Sequence, residues 1–97
     1  MNMHNPPHPG EFISDIYLEP NSISGRELAE KLDVAASTLS RVLNGSSRVT
    51  PEMALRLSKA IGRSPESWLA MQDAHDLWIA RQNVDLKHVG KLKLATA

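Results

Sequence analysis

The segment from Ser24 to Gly45 constrains the fold more than any other part of the chain. Apolar residues recur in it at helical spacing in two short runs, and Asp33-Val34-Ala35 leaves room between them for only a three- or four-residue turn. Ser24 with Glu27 three residues later predicts a capping box at the start of the first run. Asn44-Gly45 predicts the end of the second run, since glycine tolerates a left-handed backbone. The segment therefore predicts two short helices packed across a tight turn.

Two helices in this arrangement are typical of a helix-turn-helix, whose second helix enters the major groove of DNA. The outward positions of the second helix are small or polar, which lets its backbone approach the base edges. Arg41 is the one long side chain there, and it can make a bidentate contact to guanine. An ordinary helical hairpin with a polar outer face is the alternative. The caps, the short turn and the Asn-Gly ending favour DNA binding.

The net charge of zero is unevenly distributed along the 97 residues. Residues 24–63 carry seven basic and four acidic side chains, a surplus of +3, whereas residues 1–23 carry −3 and residues 64–81 carry −2. The positive surplus thus coincides with the predicted helix-turn-helix and can hold a few phosphates. The acidic ends suit a basic protein partner or, as the commoner alternative, form a solvated face.

Composition excludes several classes of protein. The chain has no cysteine, so it contains neither a disulfide framework nor a thiolate metal site. No apolar run approaches the length of a membrane span or a signal peptide, and we expect one cytoplasmic domain. His4 and His8 could suggest a metal site, but no carboxylate or thiolate is spaced to complete its ligand shell, so we expect none.

The residues before the helix-turn-helix predict an arm and a first helix. Three prolines and a glycine within residues 1–10 indicate an extended arm. Pro9 and Glu11 then fit a helix start, and the apolar stripe of the helix predicts packing on the central pair. Residues 19–21 are expected to end it. The stripe comprises Phe12, Ile13, Ile16 and Tyr17.

Two further helices are expected after the helix-turn-helix. Thr50-Pro51 and Ser64-Pro65 are both typical helix starts, and the two helices should run to Gly62 and to about Gln82. The last helix has more apolar width than one small core requires, so part of it is a candidate dimer interface. Completion of the core by both tryptophans is the alternative. The interface candidates are Trp68, Leu77, Trp78 and Ile79.

The tail, residues 83–97, has three open interpretations. Residues 91–94 alternate lysine and leucine as a strand does, but four residues do not justify an assignment. The tail is a frayed end, a short intermolecular strand or a segment that orders on a partner.

Taken together, these segments resemble the HigA-type antitoxins of bacterial toxin–antitoxin modules. The resemblance covers about residues 4–82 and implies an all-α, five-helix, lambda-repressor-like bundle, with the DNA-binding domain at residues 11–82. It also implies a dimer that binds operator DNA, represses its own operon and neutralises a HigB-like toxin, an RNA-cleaving protein similar to RelE. The motifs that carry it are HNPPHPGEF, RELAEKLDVAASTLSRVLNG, TPEMALRLSKAIG and SPESWLAMQDAHDLW.

The resemblance also implies a set of DNA-contacting positions. Two departures from the family pattern concern the recognition helix: Asp33 stands where glycine is usual, and Ala35 stands where a serine or threonine cap is usual. The base-reading residues would be Ala36, Ser37, Thr38, Ser40 and Arg41, and those facing phosphates would be Arg26, Asn44, Ser46 and Arg48.

Two other classes of function were compared with the antitoxin. A stand-alone, phage-like repressor would share the DNA chemistry but have no toxin partner, and the proline-rich arm and the tryptophan segment favour the antitoxin. An enzyme would need a base beside a nucleophile. Ser37, Ser40, His75 and Asp76 contain suitable atoms, but no spacing brings them together and no cofactor motif is present. We expect neither catalysis nor a cofactor.

Overall fold

Local capping signals set the limits of the helices. The computed structural model describes residues 5–95, and this part of the chain forms five helices without a strand. Helix α1 spans residues 9–21, and its middle part, Ser14–Leu18, is π-helical. The others are α2 (Gly25–Leu32), α3 (Ala36–Leu43), α4 (Pro51–Ile61) and α5 (Pro65–Asn83). The all-α, five-helix prediction is confirmed.

Three predicted N-caps are confirmed by their hydrogen bonds. The hydroxyl oxygen of Ser24 accepts from the amide of Glu27 at 3.1 Å, which is the serine half of the expected capping box. Thr50 caps α4 in the same way, accepting from the amide of Met53 at 3.2 Å. Ser64 caps α5 through the amide of residue 67 at 3.0 Å. Each hydroxyl satisfies an amide that the first turn of its helix leaves without a partner.

The arm is shorter than predicted, because α1 begins at Pro9. The Nδ1 atom of His8 accepts a hydrogen bond from the amide of Gly10 at 2.9 Å and so caps the helix. Gly10 lies against the end of α3: a Cβ atom there would overlap the carbonyl oxygen of Val42 and lie 2.8 Å from Leu43 Cα. Glycine therefore permits the close contact between α1 and the recognition helix.

The predicted apolar stripe of α1 is wrong at Ile16. Pro20 has no amide hydrogen and, in a regular helix, its ring would clash with the carbonyl of residue 16. Helix α1 instead widens into a π-turn, in which the amide of Glu19 bonds to the carbonyl of Ser14. The extra residue rotates the later side chains, so Leu18 is buried at 6% exposure while Ile16 is 51% exposed.

The core lies where α1, α4 and α5 cover the inner faces of α2 and α3. It includes Val49, from the loop before α4, and the polar side chain of Gln72 on α5. Trp68 is fully buried, and its Nε1 atom donates to the carbonyl of Gly62 at 2.9 Å. The buried apolar residues are Ile13, Leu18, Leu28, Ala29, Leu32, Leu39, Val42, Val49, Met53, Ala54, Leu57 and Trp68.

The tail begins one residue later than predicted, after Asn83. Residues 84–95 are exposed and have no regular secondary structure apart from a turn in which the amide of Val89 bonds to the carbonyl of Leu86 at 3.0 Å. Residues 91–94 do not form a strand within this chain. The helical part therefore runs from 9 to 83, where the predicted domain ran from 11 to 82.

Candidate nucleic-acid interface

Helix α3 presents a polar face to solvent and an apolar face to the core. Leu39 and Val42 are buried, as expected for the inner face. Thr38 is half-buried, so it is the least accessible of the predicted base-reading residues. The exposed members of that set are Ala36, Ser37, Ser40 and Arg41. The structure thus brings the five predicted residues onto one helix, and their individual roles remain predictions.

The turn before α3 has the two features that the sequence predicts. Asp33 has the left-handed conformation, with φ 59° and ψ 47°. Ala35 occupies the N-cap position of α3 and provides no side-chain hydrogen bond. Arg56, which no sequence motif indicated, donates from its Nη1 atom to the carbonyls of Leu32 at 2.8 Å and Asp33 at 3.2 Å. Arg56 therefore provides hydrogen bonds to the carbonyls at the end of α2, and its positive charge interacts favourably with the negative end of the helix dipole.

Arg26 and Arg41 are the free arginines at this face. Both are exposed, and within residues 5–95 neither side chain makes a hydrogen bond or an ion pair. Arg26 lies in the first turn of α2, beside the small groove between α2 and α3 that Ser40 also lines. A phosphate at this groove would meet a free cation and the amino-terminal end of α2.

The end of the recognition helix is fixed by a local hydrogen-bonded turn. Gly45 has φ 83°, which confirms the predicted stop. The Oδ1 atom of Asn44 accepts from the amide of Ser46 at 3.0 Å and from its hydroxyl at 2.7 Å. Both side chains are exposed, and their roles beside phosphate remain predictions.

Arg48 is held by α5, a contact that the sequence analysis did not foresee. Its Nη2 atom lies 2.9 Å from Asp76 Oδ2 and 3.3 Å from Asp73 Oδ1, and its Nε atom lies 3.3 Å from Asp76 Oδ2. Burial acts to raise the pKa of Asp76, but hydrogen bonds from Arg48 and Gln72 outweigh burial and hold that pKa below its ordinary value. Arg48 lies near the recognition helix, as predicted, but not as a free cation.

Gln72 connects this ion pair to the backbone of the loop. It is buried on α5, where its Oε1 atom accepts from the amide of Val49 at 2.7 Å and its Nε2 atom donates to Asp76 Oδ1 at 3.0 Å. The sequence contains one signal for this position: Gln72 follows Trp68 by four residues and so shares its buried stripe. A polar side chain on such a stripe needs partners.

His8 and His75 meet beneath the same loop. Their ring centroids lie 5.2 Å apart in an edge-to-face contact, and His75 Nδ1 donates to the carbonyl of Pro6 at 2.9 Å. Burial and then the neighbouring His75 lower the pKa of His8, against the opposing effects of Asp76, the Ser47 backbone and Glu11. The pair joins the arm, the end of α3 and α5.

The predicted dimer surface loses one of its four members. Trp68 is wrong as an interface residue, because its side chain is fully buried within the monomer, where its ring contacts that of Phe12 on α1. Trp78 is half-buried, and Leu77 and Ile79 remain 49% and 41% exposed. These three residues lie in the second half of α5, next to the exposed tail, and their role remains a prediction.

The part of the chain that the structure describes contains neither a metal-binding cluster nor a membrane-spanning helix. No group of three or more histidine, aspartate or glutamate side chains within residues 5–95 could hold a metal ion. His8 instead caps α1, and His4 lies outside the described residues. None of the five helices is both long and apolar enough to span a bilayer.

Comparison with known proteins places this geometry in a family. The family profile described as Helix-turn-helix matches residues 16–68. The chain is 44% identical to the uncharacterized HTH-type transcriptional regulator YddM of Escherichia coli K12, over 95% of this chain and 97% of that protein. It is similar to the structure of antitoxin GraA, with a TM-score of 0.84, 34% identity and coverage of 95% and 99% of the two chains. The structure of Pseudomonas aeruginosa antitoxin HigA with the higBA promoter matches at a TM-score of 0.79 and 29% identity, covering 92% and 99%. The chain thus belongs to the helix-turn-helix family of DNA-binding transcriptional regulators that includes the HigA-type antitoxins.

Proposed function

We propose that this protein is an antitoxin and autorepressor. In this proposal it binds operator DNA as a dimer, represses its own operon and neutralises a cognate RelE-like toxin that cleaves mRNA. The observation that supports it most strongly is the exposed polar face of α3 with a free Arg41, on a chain that matches known antitoxins over almost their whole length.

The proposed DNA contacts divide into base reading and phosphate binding. Arg41 is the only long side chain among the base-reading positions, and it can address guanine with two parallel hydrogen bonds. Phosphate contacts hold the helix in register without reading the sequence. The base-reading set is Ala36, Ser37, Thr38, Ser40 and Arg41, and the phosphate set is Arg26, Asn44, Ser46 and Arg48.

A dimer follows from the small number of contacts in one subunit. One recognition helix with a single arginine and few free cations cannot account for tight, specific binding. Two symmetric copies would read a palindromic operator with half-sites one or more helical turns apart. The proposed dimer surface is Leu77, Trp78 and Ile79 with the adjoining tail, because this apolar surface is left uncovered in the monomer.

The proposed toxin contact uses charge opposite to that of the DNA contact. Glu11, Asp15 and Glu19 all lie exposed on α1, and residues 1–23 carry a charge of −3. A small basic toxin would therefore meet complementary charge on α1. The alternative function is a stand-alone repressor, which the similarity to YddM, described as a transcriptional regulator, also fits.

Co-purification with the product of the adjacent gene, followed by operator footprinting, tests the proposal. We expect a small basic partner to co-purify and the promoter of the shared operon to be protected. Arg41→Ala is the matched control, because it should lose the footprint and keep the partner. Protection without any partner would establish the stand-alone repressor, and absence of protection would reject the autorepressor.

A further inference from the structure

The edge of the Arg48 guanidinium group that could bind a phosphate is already hydrogen-bonded to carboxylates of α5. Its Nε and Nη2 atoms both face Asp76 Oδ2, at 3.3 Å and 2.9 Å, and Nη2 also faces Asp73 Oδ1 at 3.3 Å. The fork of donors along a guanidinium edge is what grips a carboxylate or a phosphate with two hydrogen bonds. A phosphate approaching Arg48 must therefore share or displace these carboxylates.

The carboxylate of Asp76 is held in position by a buried side chain. Gln72 donates to Asp76 Oδ1 at 3.0 Å and also accepts from the amide of Val49, the residue that follows Arg48, at 2.7 Å. Gln72 is 1% exposed, so its amide cannot turn freely into solvent. Gln72 thus holds both the loop that carries Arg48 and the carboxylate of Asp76 in place. An isolated surface ion pair, by contrast, must order two mobile side chains and loses side-chain entropy when it forms.

The local charge around Arg48 is unfavourable for DNA. Two carboxylates face one guanidinium, which leaves a net charge of −1 beside a loop that follows the recognition helix. Against the effect of burial, the pKa of Asp76 is held below its ordinary value, chiefly by its hydrogen bond from Arg48, so its carboxylate is ionised at neutral pH. A DNA phosphate brought to this loop meets repulsion from the carboxylates as well as attraction from Arg48.

We propose that Asp73 and Asp76 compete with DNA phosphate for Arg48 and so limit the affinity of this protein for DNA. The inference rests on the proposed function, in which the loop of residues 44–50 lies against the DNA backbone. Helix α5 thereby controls a contact of the helix-turn-helix from outside it. In the wild-type protein Arg48 neutralises less than one phosphate, and release of its carboxylates lets it neutralise one fully.

Salt titration of DNA binding with charge-neutral variants tests the competition. Asp76→Asn and Asp73→Asn should each tighten binding to the operator and to a scrambled duplex, because phosphate contacts do not read sequence. In a plot of the logarithm of the binding constant against the logarithm of the salt concentration, the slope of each variant should be steeper than that of the wild type by up to about 0.9 per subunit. When the salt concentration rises from 50 mM to 200 mM, this difference in slope corresponds to an additional loss of DNA affinity of up to about 3.5-fold.

Glu66→Gln is the matched control for net charge. Glu66 is an exposed acid in the first turn of the same helix, ten residues from Asp76 and therefore about 15 Å away along its axis. Removal of its charge should change DNA affinity less than Asp76→Asn does. Asp73→Asn leaves the Gln72–Asp76 hydrogen bond intact, so it keeps the test valid if thermal unfolding shows that Asp76→Asn is not folded.

The same substitutions combined with Arg48→Ala distinguish competition from general electrostatics. Without Arg48, Asp73→Asn and Asp76→Asn should affect DNA binding no more than Glu66→Gln does. A gain that persists in full without Arg48, or a folded Asp73→Asn variant with weaker binding, would overturn the inference. If Arg48→Ala alone removes a full phosphate from the salt slope, competition is refuted while the proposed function stands. Failure of the wild-type protein to bind its operator would instead refute the proposed function.

Discussion

At the scale of single residues, the arginines divide into those that hold the fold and those that face solvent. Arg48 and Arg56 bond to α5 and to the end of α2, respectively, and Arg63 lies over the rings of Phe12 and Trp68. A count of positive charges in residues 24–63 therefore overstates the charge available to DNA. Arg26 and Arg41, on the two helices that form the motif, make no side-chain hydrogen bond or ion pair within residues 5–95.

Arg41→Ala should weaken operator binding by about 1–3 kcal/mol and relax preference at one or two base pairs, because it removes a bidentate base contact. Titration against operator and scrambled duplexes measures both effects. Arg26→Ala is the comparison variant and should weaken binding to both duplexes about equally, as loss of a phosphate contact does. An Arg41→Ala protein with wild-type affinity for both duplexes would remove Arg41 from the base-reading set.

His8 links the stability of the arm to pH. Its Nδ1 atom must be unprotonated to accept from the amide of Gly10, and burial followed by His75 lowers its pKa below 6.5. The unfolded chain therefore takes up the proton at a higher pH than the folded chain. The stabilising contribution of His8 is complete above pH 6.5 and is lost as the pH falls below this value toward the folded pKa.

Denaturant unfolding of wild type and His8→Asn at pH 7.5 and pH 5.5 tests this linkage. Asparagine also accepts the cap hydrogen bond but does not titrate in this range, so the variant should lose less stability on acidification. His88→Asn, which changes an exposed histidine of the tail, should retain the wild-type pH dependence. Equal losses in wild type and His8→Asn would show that protonation of His8 is not linked to folding.

At the scale of elements, α3 lacks a cap although its N-cap backbone is already suitable. Ala35 has the extended conformation of an N-cap, with φ −65° and ψ 145°, but no oxygen to offer the first amides. Ala35→Ser should therefore raise the free energy of unfolding by about 0.5–2 kcal/mol. Ala36→Ser, one position into the helix, should not stabilise. Denaturant unfolding at a single protein concentration measures the free energy of unfolding of both variants. An Ala35→Ser protein with wild-type stability would show that a side-chain cap does not stabilise α3.

The contact between α1 and α3 is the second feature at this scale. Gly10→Ala should destabilise the protein by about 1–3 kcal/mol, because its Cβ atom would meet the backbone of Val42 and Leu43, which cannot move as a side-chain end can. DNA affinity should fall with it as α1 moves from the end of the recognition helix. Gly90→Ala is the control, since nothing lies within 4 Å of its Cβ position. Equal stability of the two variants would contradict the close packing.

At the scale of the whole molecule, the chain is too extended for a closed domain of its length. Its radius of gyration is 16.9 Å and its longest dimension is 55 Å. A compact domain of this length would have a radius of gyration of about 12.5 Å. The second half of α5 and the tail are exposed, with Leu77, Ile79, Val84 and Leu86 at the surface. This surface motivates the proposed dimer.

Truncation after Asn83 should weaken dimerisation and reduce cooperative operator binding, because it removes the exposed apolar residues of the tail. Sedimentation of full-length and truncated protein at micromolar concentration measures the effect. Full-length protein that stays monomeric both free and on operator DNA would reject the dimer. A truncated protein that dimerises normally would limit the interface to α5.

The helices and the turn between α2 and α3 follow from signals that are local in the chain. Ser24, Thr50 and Ser64 cap through amides three residues away, and Gly45 and Asp33 act through their own backbone angles. Such interactions depend on residues that are adjacent in the chain, so they can be read from it. The outward face of α3 follows from helical spacing in the same way.

Which side chains of these helices are free depends on contacts between segments that are distant in the chain. Arg48 bonds to carboxylates that lie 25 and 28 residues away in the sequence, and Gln72 bonds to the amide of Val49, 23 residues away. The burial of Trp68 and the exposure of Ile16 likewise depend on how α1 meets α5 and on its π-turn. These contacts depend on the meeting of segments that lie far apart in the chain, and no spacing within one helix encodes that meeting.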